Sequence, residues 1–122
     1  MMALDYTMVL QARTASAIAT TEPVAHVWYY DVPAQSKPGF DEYQRALQRT
    51  VLTNTTDITI CAAPRQGTVR NIVSVSIYNR STDTEIFTVS TTDGTNRYPF
   101  ENKTLATLET LHYENEEGWY VS

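Results

Sequence analysis

The sequence has very few of the residues that build covalent or metal-bound frameworks. Cys61 is its only cysteine, so no disulfide can form within the chain. The two histidines, His26 and His112, have no cysteine or second histidine at ligand spacing, which disfavours a metal site. There are four glycines and no glycine-rich phosphate-binding pattern. We therefore expect a fold held together by packing, with no cofactor and no metal.

Positive charge and long apolar runs are also scarce. Nine Lys and Arg residues stand against 14 Asp and Glu residues, which gives a formal net charge of −5. Because nucleic-acid affinity comes mainly from basic side chains on phosphates, we expect no nucleic-acid partner and no membrane surface. No stretch approaches the ~20 apolar residues of a membrane span. The opening MMALDYTMVLQ lacks the pattern of a signal peptide, so we expect synthesis and folding in a cytosol.

What the sequence does contain favours β-structure. Threonine makes up about one residue in six, and there are eight tyrosines; both residue types suit strands. The clearest predicted strand is TVRNIVSVSIYNR, where Val73, Val75 and Ile77 alternate with more polar residues. Strand-like segments recur about every 8–12 residues between turn signals such as Asp93–Gly94. The sequence predicts a mainly β fold, an antiparallel β-sandwich of jelly-roll or immunoglobulin-like type.

The N-terminal region looks different from the rest of the chain. Residues 1–22 are predicted to form an extended arm, because TASAIATTEP has almost no side chain large enough to anchor a core. The sandwich domain is placed at 23–122. FDEYQRALQR, residues 40–49, is the one segment with helical spacing, so at most one short helix is expected. The candidate partner-binding residues are Ala12, Thr14, Ala17, Ile18, Thr20, Thr21, Tyr29 and Tyr30.

The last residues predict a hairpin that completes the fold. ETLHY and WYVS are strand-like and are separated by the polar loop ENEEG. The terminal strand would pair with the preceding one and cover the core from the last position of the sheet. We therefore expect Trp119, Tyr120 and Val121 to close the core.

The sequence offers little catalytic chemistry. Cys61 lies in the apolar segment ITICAA, which favours a buried and unreactive thiol. A small hydrolase would need Cys61 beside His26 or His112 and remains an alternative. Trp28, Tyr29 and Tyr30 fit either a core or an interface. The exposed rings of a tyrosine-rich surface would suit protein contacts or a carbohydrate-binding face; the candidates are Tyr29, Tyr30, Tyr43, Tyr98 and Tyr113.

Residues 51–122 also contain three motifs, one after another: VRNIVSVSIYN, then LATLETLHY, then GWYV. In these motifs the chain resembles small β-sandwich structural proteins in the virions of tailed bacteriophages. The resemblance implies a non-enzymatic virion component made in the host cytoplasm, most simply a capsid decoration or cement protein. A head–tail connector, collar, tail or baseplate component is the near alternative. It also implies other virion proteins as partners and a homo-oligomer or symmetric array. A carbohydrate- or receptor-binding module is the alternative from another class.

Overall fold

The computed structural model describes residues 2–18, 21–33, 45–52 and 55–122. These ranges contain strands and turns but no helix, and so none that could cross a bilayer. Ten strands follow one another along the chain: β1 (Met2–Leu4), β2 (Val9–Thr14), β3 (Val24–Pro33), β4 (Ala46–Val51), β5 (Ile58–Cys61), β6 (Thr68–Tyr78), β7 (Glu85–Thr92), β8 (Arg97–Leu105), β9 (Thr110–Glu114) and β10 (Gly118–Val121).

The strands form two antiparallel sheets. The six-stranded sheet has the order β10-β9-β6-β3-β4, and β1 pairs with the opposite end of β6 from β9. The four-stranded sheet has the order β5-β2-β7-β8. The predicted β-sandwich is therefore confirmed. Among the described strands, β10 and β4 are the edges of one sheet, and β5 and β8 are the edges of the other.

The core lies between the two sheets and consists of aliphatic side chains around one fully buried phenylalanine. Alternate residues of each strand point inward, as the period of two in a strand requires. The largest fully buried side chains are Leu4, Leu10, Val27, Leu52, Ile60, Ile72, Val75, Ile77, Phe87, Val89, Leu105 and Leu111. Burial of this apolar surface, at roughly 25 cal/mol per Å², is the main stabilising term.

The prediction of an N-terminal arm over residues 1–22 is wrong for the strands it contains. Residues 2–4 pair with β6, and β2 is a central strand between β5 and β7. Ala12 and Thr14 are small because they face inward opposite Val89 and Phe87, where the larger partner fills the space. Small side chains in a strand therefore indicated a crowded core position and not an arm. The sandwich begins at residue 2 and not at residue 23.

The helical spacing over residues 40–49 does not produce a helix in its described part, in keeping with the expectation of at most one short helix. Residues 46–51 form β4, which pairs with β3 along its whole length. The apolar spacing that favoured a helix rested on Phe40 and Tyr43, which lie outside the described residues, and on Leu47. Leu47 is 43% exposed and lies opposite Trp28 on the outer face of the sheet. Pairing between strands outweighed the weak local preference.

The predicted alternation in β6 is confirmed in its second half and shifted in its first. Val75 and Ile77 face the core, but Val73 is only half-buried and Ile72 is fully buried instead. The pairing with β3 changes register here: Trp28 lies opposite Ser74 and Tyr29 opposite Ile72. Val73 is the extra residue of a β-bulge, and a bulge reverses which residues face inward.

Candidate functional site

The residues that would carry catalysis do not come together. Cys61 is fully buried at the end of β5, where burial raises the pKa of its thiol. His26 and His112 both lie on the outer face of the six-stranded sheet, because their sequence neighbours face the core. Ser76 lies between them in register, so the two imidazoles are about 10 Å apart. In the described residues no three metal-ligating side chains converge.

A guanidinium that interacts with Cys61 links the two sheets. Arg70 donates from Nε and Nη2 to the two carboxylate oxygens of Asp31, at 2.8 and 2.9 Å. Its Nη1 donates to the backbone oxygen of Ala62, just after β5, at 2.8 Å. The guanidinium also lies 4.1 Å from the ring centre of Tyr29. Tyr29 is thus part of the internal packing, and Asp31 raises the pKa of Arg70.

The other predicted partner-binding residues are dispersed. Ala12 and Thr14 are buried in β2, and Thr20 lies outside the described residues. Ala17 is exposed and Ile18 is half-buried in the segment that follows β2. Two further residues lie on the surface: exposed Thr21, whose φ is 52°, and half-buried Tyr30. They do not form one continuous surface.

The C-terminal hairpin forms as predicted, with β9 and β10 paired from Glu114–Gly118 to Leu111–Val121. Its three candidate core-closing residues lie in different environments. Trp119 packs against the core, with its ring centre 5.1 Å from that of Tyr113. Tyr120 faces outward and stacks on His112 at 4.8 Å. Val121 is 37% exposed, so Trp119 alone contributes a large side chain to the core.

A shallow concave surface lies between β8 and the hairpin. One part has a volume of about 300 Å³ and is lined by Met2, Ala3, Phe100, Tyr113 and Trp119. The adjoining part has a volume of about 470 Å³ and is lined by Asp5, Thr7, Met8, Thr91, Asp93, Tyr98 and Phe100. Phe100 belongs to both, so we treat them as one surface and call it the edge groove.

A β-bulge creates the edge groove. Along β7 and β8, Val89 lies opposite Glu101, but the next residue, Ser90, lies opposite Pro99. Phe100 is therefore an extra residue in an edge strand, and 46% of its surface is exposed. Pro99 has no backbone N–H to donate, which is compatible only with such an irregular edge position. Pro99 in the sequence RYPF is typical of an edge strand, but nothing in these residues indicates the bulge.

Two carboxylates lie at one end of the edge groove. Asp5 Oδ1 accepts hydrogen bonds from the hydroxyl and the backbone N–H of Thr7, which lower its pKa. Asp93 Oδ1 accepts from the backbone N–H groups of Asn96 and Thr95, and these lower its pKa. Val9 lies opposite Thr92, so the turn that holds Asp5 and the turn that holds Asp93 lie at the same end of the paired strands β2 and β7. Both groups are ionised at neutral pH.

A buried hydroxyl between these carboxylates and the rings has no partner. Thr91 is 1% exposed, and its Oγ1 makes no hydrogen bond within the described part of the chain. A buried polar atom left unpaired costs about 1–3 kcal/mol, so such atoms are uncommon in folded proteins. Thr91 also lines the edge groove. Sequence analysis missed this residue, since nothing in STTDGTN distinguishes one threonine from the next.

A second surface is the outer face of the six-stranded sheet. It exposes 42% of Trp28 and 37% of Tyr78, and it includes the ring of Tyr120 stacked on His112. Polar side chains lie among these rings on the same face, including Ser74, Ser76, His26 and Arg49. Comparison of the chain with known protein families, curated proteins and solved structures found no match.

Proposed function

We propose that this protein is a non-enzymatic structural component of a tailed-phage virion that binds other virion proteins. The observation that carries the proposal is the edge groove, where an aromatic concave surface lies between the free edges of two sheets. Exposed sheet edges and aromatic side chains are typical of surfaces that bind other proteins. The motif resemblance of residues 51–122 points to the virion as the setting.

Within the virion, a capsid decoration or cement protein is the form of this role that we favour. A groove of this size supports only a modest interface for each copy. In a symmetric array, however, many weak contacts act together and the complex as a whole is held firmly. A head–tail connector, collar, tail or baseplate component would bind its neighbours through the same surface, but each particle would contain fewer copies of the chain.

Particle composition tests the proposal directly. Virions of the phage whose genome encodes this chain would be purified on a density gradient. Their proteins would then be identified by mass spectrometry. We expect the chain to copurify with the particles at a fixed stoichiometry. Electron cryomicroscopy would then separate the two forms, since a decoration protein gives density on the capsid lattice and a tail component does not. Absence of the chain from clean particles would overturn the virion role.

A carbohydrate- or receptor-binding module is the second candidate, favoured by the outer face of the six-stranded sheet. Exposed rings beside hydroxyl and imidazole groups can stack on a sugar and donate hydrogen bonds to it. A glycan array probed with the labelled chain tests this directly. Binding that Trp28→Ala abolishes and Tyr98→Ala leaves intact would support the module. Absence of any glycan binding would remove it.

A further inference from the structure

We propose that the edge groove binds an extended peptide segment in which an arginine is followed two residues later by an apolar residue. The inference deepens the proposed function, because the segment would belong to a neighbouring virion protein. Three features of the groove point to this occupant: its charge, its rings and its unpaired hydroxyl. The side-chain period of an extended segment supplies the spacing.

The two carboxylates of the edge groove are electrostatically complementary to a cation. Asp5 and Asp93 are ionised, and within the described residues their hydrogen bonds come from neighbouring backbone and uncharged side-chain groups. In the described ranges the ion-paired arginines are Arg13 and Arg97 with Asp57, and Arg70 with Asp31. None of them reaches the groove carboxylates. Two adjacent negative charges without a cation are electrostatically complementary to a basic side chain.

The rings make arginine a better occupant than lysine. Tyr98 and Phe100 are 48% and 46% exposed beside the carboxylates, and Met8 lies with them. A guanidinium is planar and weakly hydrated, so it can stack on a ring while it donates hydrogen bonds to a carboxylate. The protein already uses this combination once, where Arg70 contacts both Tyr29 and Asp31.

The Thr91 hydroxyl supplies the third contact. Its Oγ1 is buried and unpaired in the free protein. A threonine oxygen can accept a hydrogen bond, and a guanidinium has five N–H donors, more than two carboxylates need. An arginine bound between Asp5 and Asp93 would therefore pair an atom that is otherwise desolvated without a partner.

The second part of the groove suits an apolar side chain. Its lining of Met2, Tyr113 and Trp119 bears no charge, and it adjoins the first part at Phe100. Side chains two residues apart in an extended segment point the same way and lie about 6.8 Å apart. Such a segment, running along the free edge of β8, would place one side chain in each part.

Solution NMR on the isotopically labelled chain tests the inference. The probe is the peptide acetyl-Gly-Arg-Ser-Leu-Gly-amide, and its matched control contains citrulline, which has the shape of arginine without the charge. We expect shifts of the amide signals of residues 2–8, 91–93, 98, 100, 113 and 119, which line or adjoin the two parts of the groove, and binding of the citrulline peptide weaker by about tenfold. Equal binding of the two peptides, or shifts at other residues, would overturn the inference. So would equally tight binding of N-acetylarginine amide, which would indicate a site for a small cation.

Variants separate the three features. Asp5→Asn and Asp93→Asn should each weaken binding about two- to fivefold, as expected of partly solvated ion pairs. Thr91→Val keeps the shape of the residue and should weaken binding about three- to tenfold. Asp83→Asn is the matched control, since its carboxylate is exposed at the other end of β7. If Asp5→Asn, Asp93→Asn and Thr91→Val all bind the peptide as the natural chain does, the proposed contacts are wrong.

The test also separates this inference from the virion role. If the chain is present in purified virions but the peptide does not bind, only the occupant of the groove is refuted. If the peptide binds but the chain is absent from virions, only the virion role is refuted.

Discussion

The two long sides of the sandwich are built differently. At the side where β4 meets β5, polar groups connect the two sheets: Ala62 donates its backbone N–H to Gln48 Oε1 and accepts from Arg70 with its carbonyl. We call this the closed side. At the side where β8 faces β10, the sheets approach through Phe100 and Trp119, and the edge groove lies between them. We call this the open side.

The same kinds of side chain have different partners on the two sides. On the closed side, the carboxylate of Asp31 and the ring of Tyr29 both contact Arg70. On the open side, Asp93 and Tyr98 have the same chemistry but no guanidinium within the described structure. On the closed side, the carboxylate and the ring have a guanidinium partner within the chain. On the open side, a carboxylate and a ring are present, but the described structure supplies no guanidinium to bind them.

The largest expected effect lies on the closed side. Arg70→Met removes the bidentate pair with Asp31 and the bond to Ala62, while it keeps the length and apolar stem of the side chain. Asp31 would be left partly buried without its cation. Loss of one partner of a fully buried pair costs about 3–5 kcal/mol. Because Asp31 is 35% exposed, we expect a loss of about 2–3 kcal/mol in the free energy of unfolding, measured by urea denaturation.

Arg65→Met is the matched control for that change. Arg65 is exposed and lies in the loop before β6, so its removal should change the stability by less than about 0.5 kcal/mol. Equal stability of the two variants would mean that the closed side is held by packing alone. The comparison between the two sides would then fail.

On the open side, Trp119→Ala should cost about 2 kcal/mol. A fully buried tryptophan would cost about 3–5 kcal/mol, but this ring is only half-buried against Tyr113 and the rim of the groove. Tyr120→Ala is the matched control one residue later, because it removes a ring from the outer face of the same strand. A larger loss for Tyr120→Ala than for Trp119→Ala would show that the hairpin contributes to stability through its outer face.

A strand could be predicted from the sequence when the residues that determine it are neighbours in the chain. It could not be predicted when its meaning depended on a distant partner strand. The hairpin of β9 and β10 was predictable because polar residues ending in Gly118 separate two apolar segments, and Gly118 has the positive φ of 75° that its turn requires. The strand β2 was not predictable. Its small residues Ala12 and Thr14 have meaning only opposite Val89 and Phe87, which lie more than seventy residues away.

The candidate site was less predictable than the fold. Tyr98 was recognised as a candidate surface ring, but its neighbours in the groove come from the turn after β1 and from the hairpin after β7. The pairing of β2 with β7, in which Val9 lies opposite Thr92, and of β7 with β8 brings these segments together. Single-sequence reasoning gives strands but not their order, so it could not place Asp5 beside Asp93.

The third expected effect has the opposite sign to the first two. Thr91→Val replaces an unpaired buried hydroxyl by a methyl group of the same shape, so it should raise the stability of the free protein by about 1 kcal/mol. Thr92→Val is the matched control in the next residue. Thr92 Oγ1 donates to the Asn96 carbonyl and accepts from the Gly94 N–H, so its loss should cost about 1 kcal/mol. Urea denaturation of both variants measures this difference, and destabilisation by Thr91→Val would show that the hydroxyl is paired in solution.

The smallest expected effect is a pH dependence that comes from the open side. The folded state lowers the pKa of Asp5 and of Asp93 below the usual 3.8, through hydrogen bonds to the ionised carboxylates. Each group therefore binds a proton more weakly in the folded than in the unfolded chain. Its contribution to stability is complete above the unfolded pKa and is lost as the pH falls through the folded pKa.

The double variant Asp5→Asn, Asp93→Asn isolates this contribution. Between about pH 5 and about pH 3 the urea midpoint of the natural chain should fall more steeply than that of the variant, because only the natural chain protonates these two groups. Asp83→Asn removes one negative charge from a different exposed turn and controls for net charge. Parallel curves for the natural chain and the double variant would show that the turns at the open side do not depend on ionised carboxylates. In that case the two carboxylates would contribute to the contrast with the closed side through their charge at neutral pH, and not through the stability of their turns.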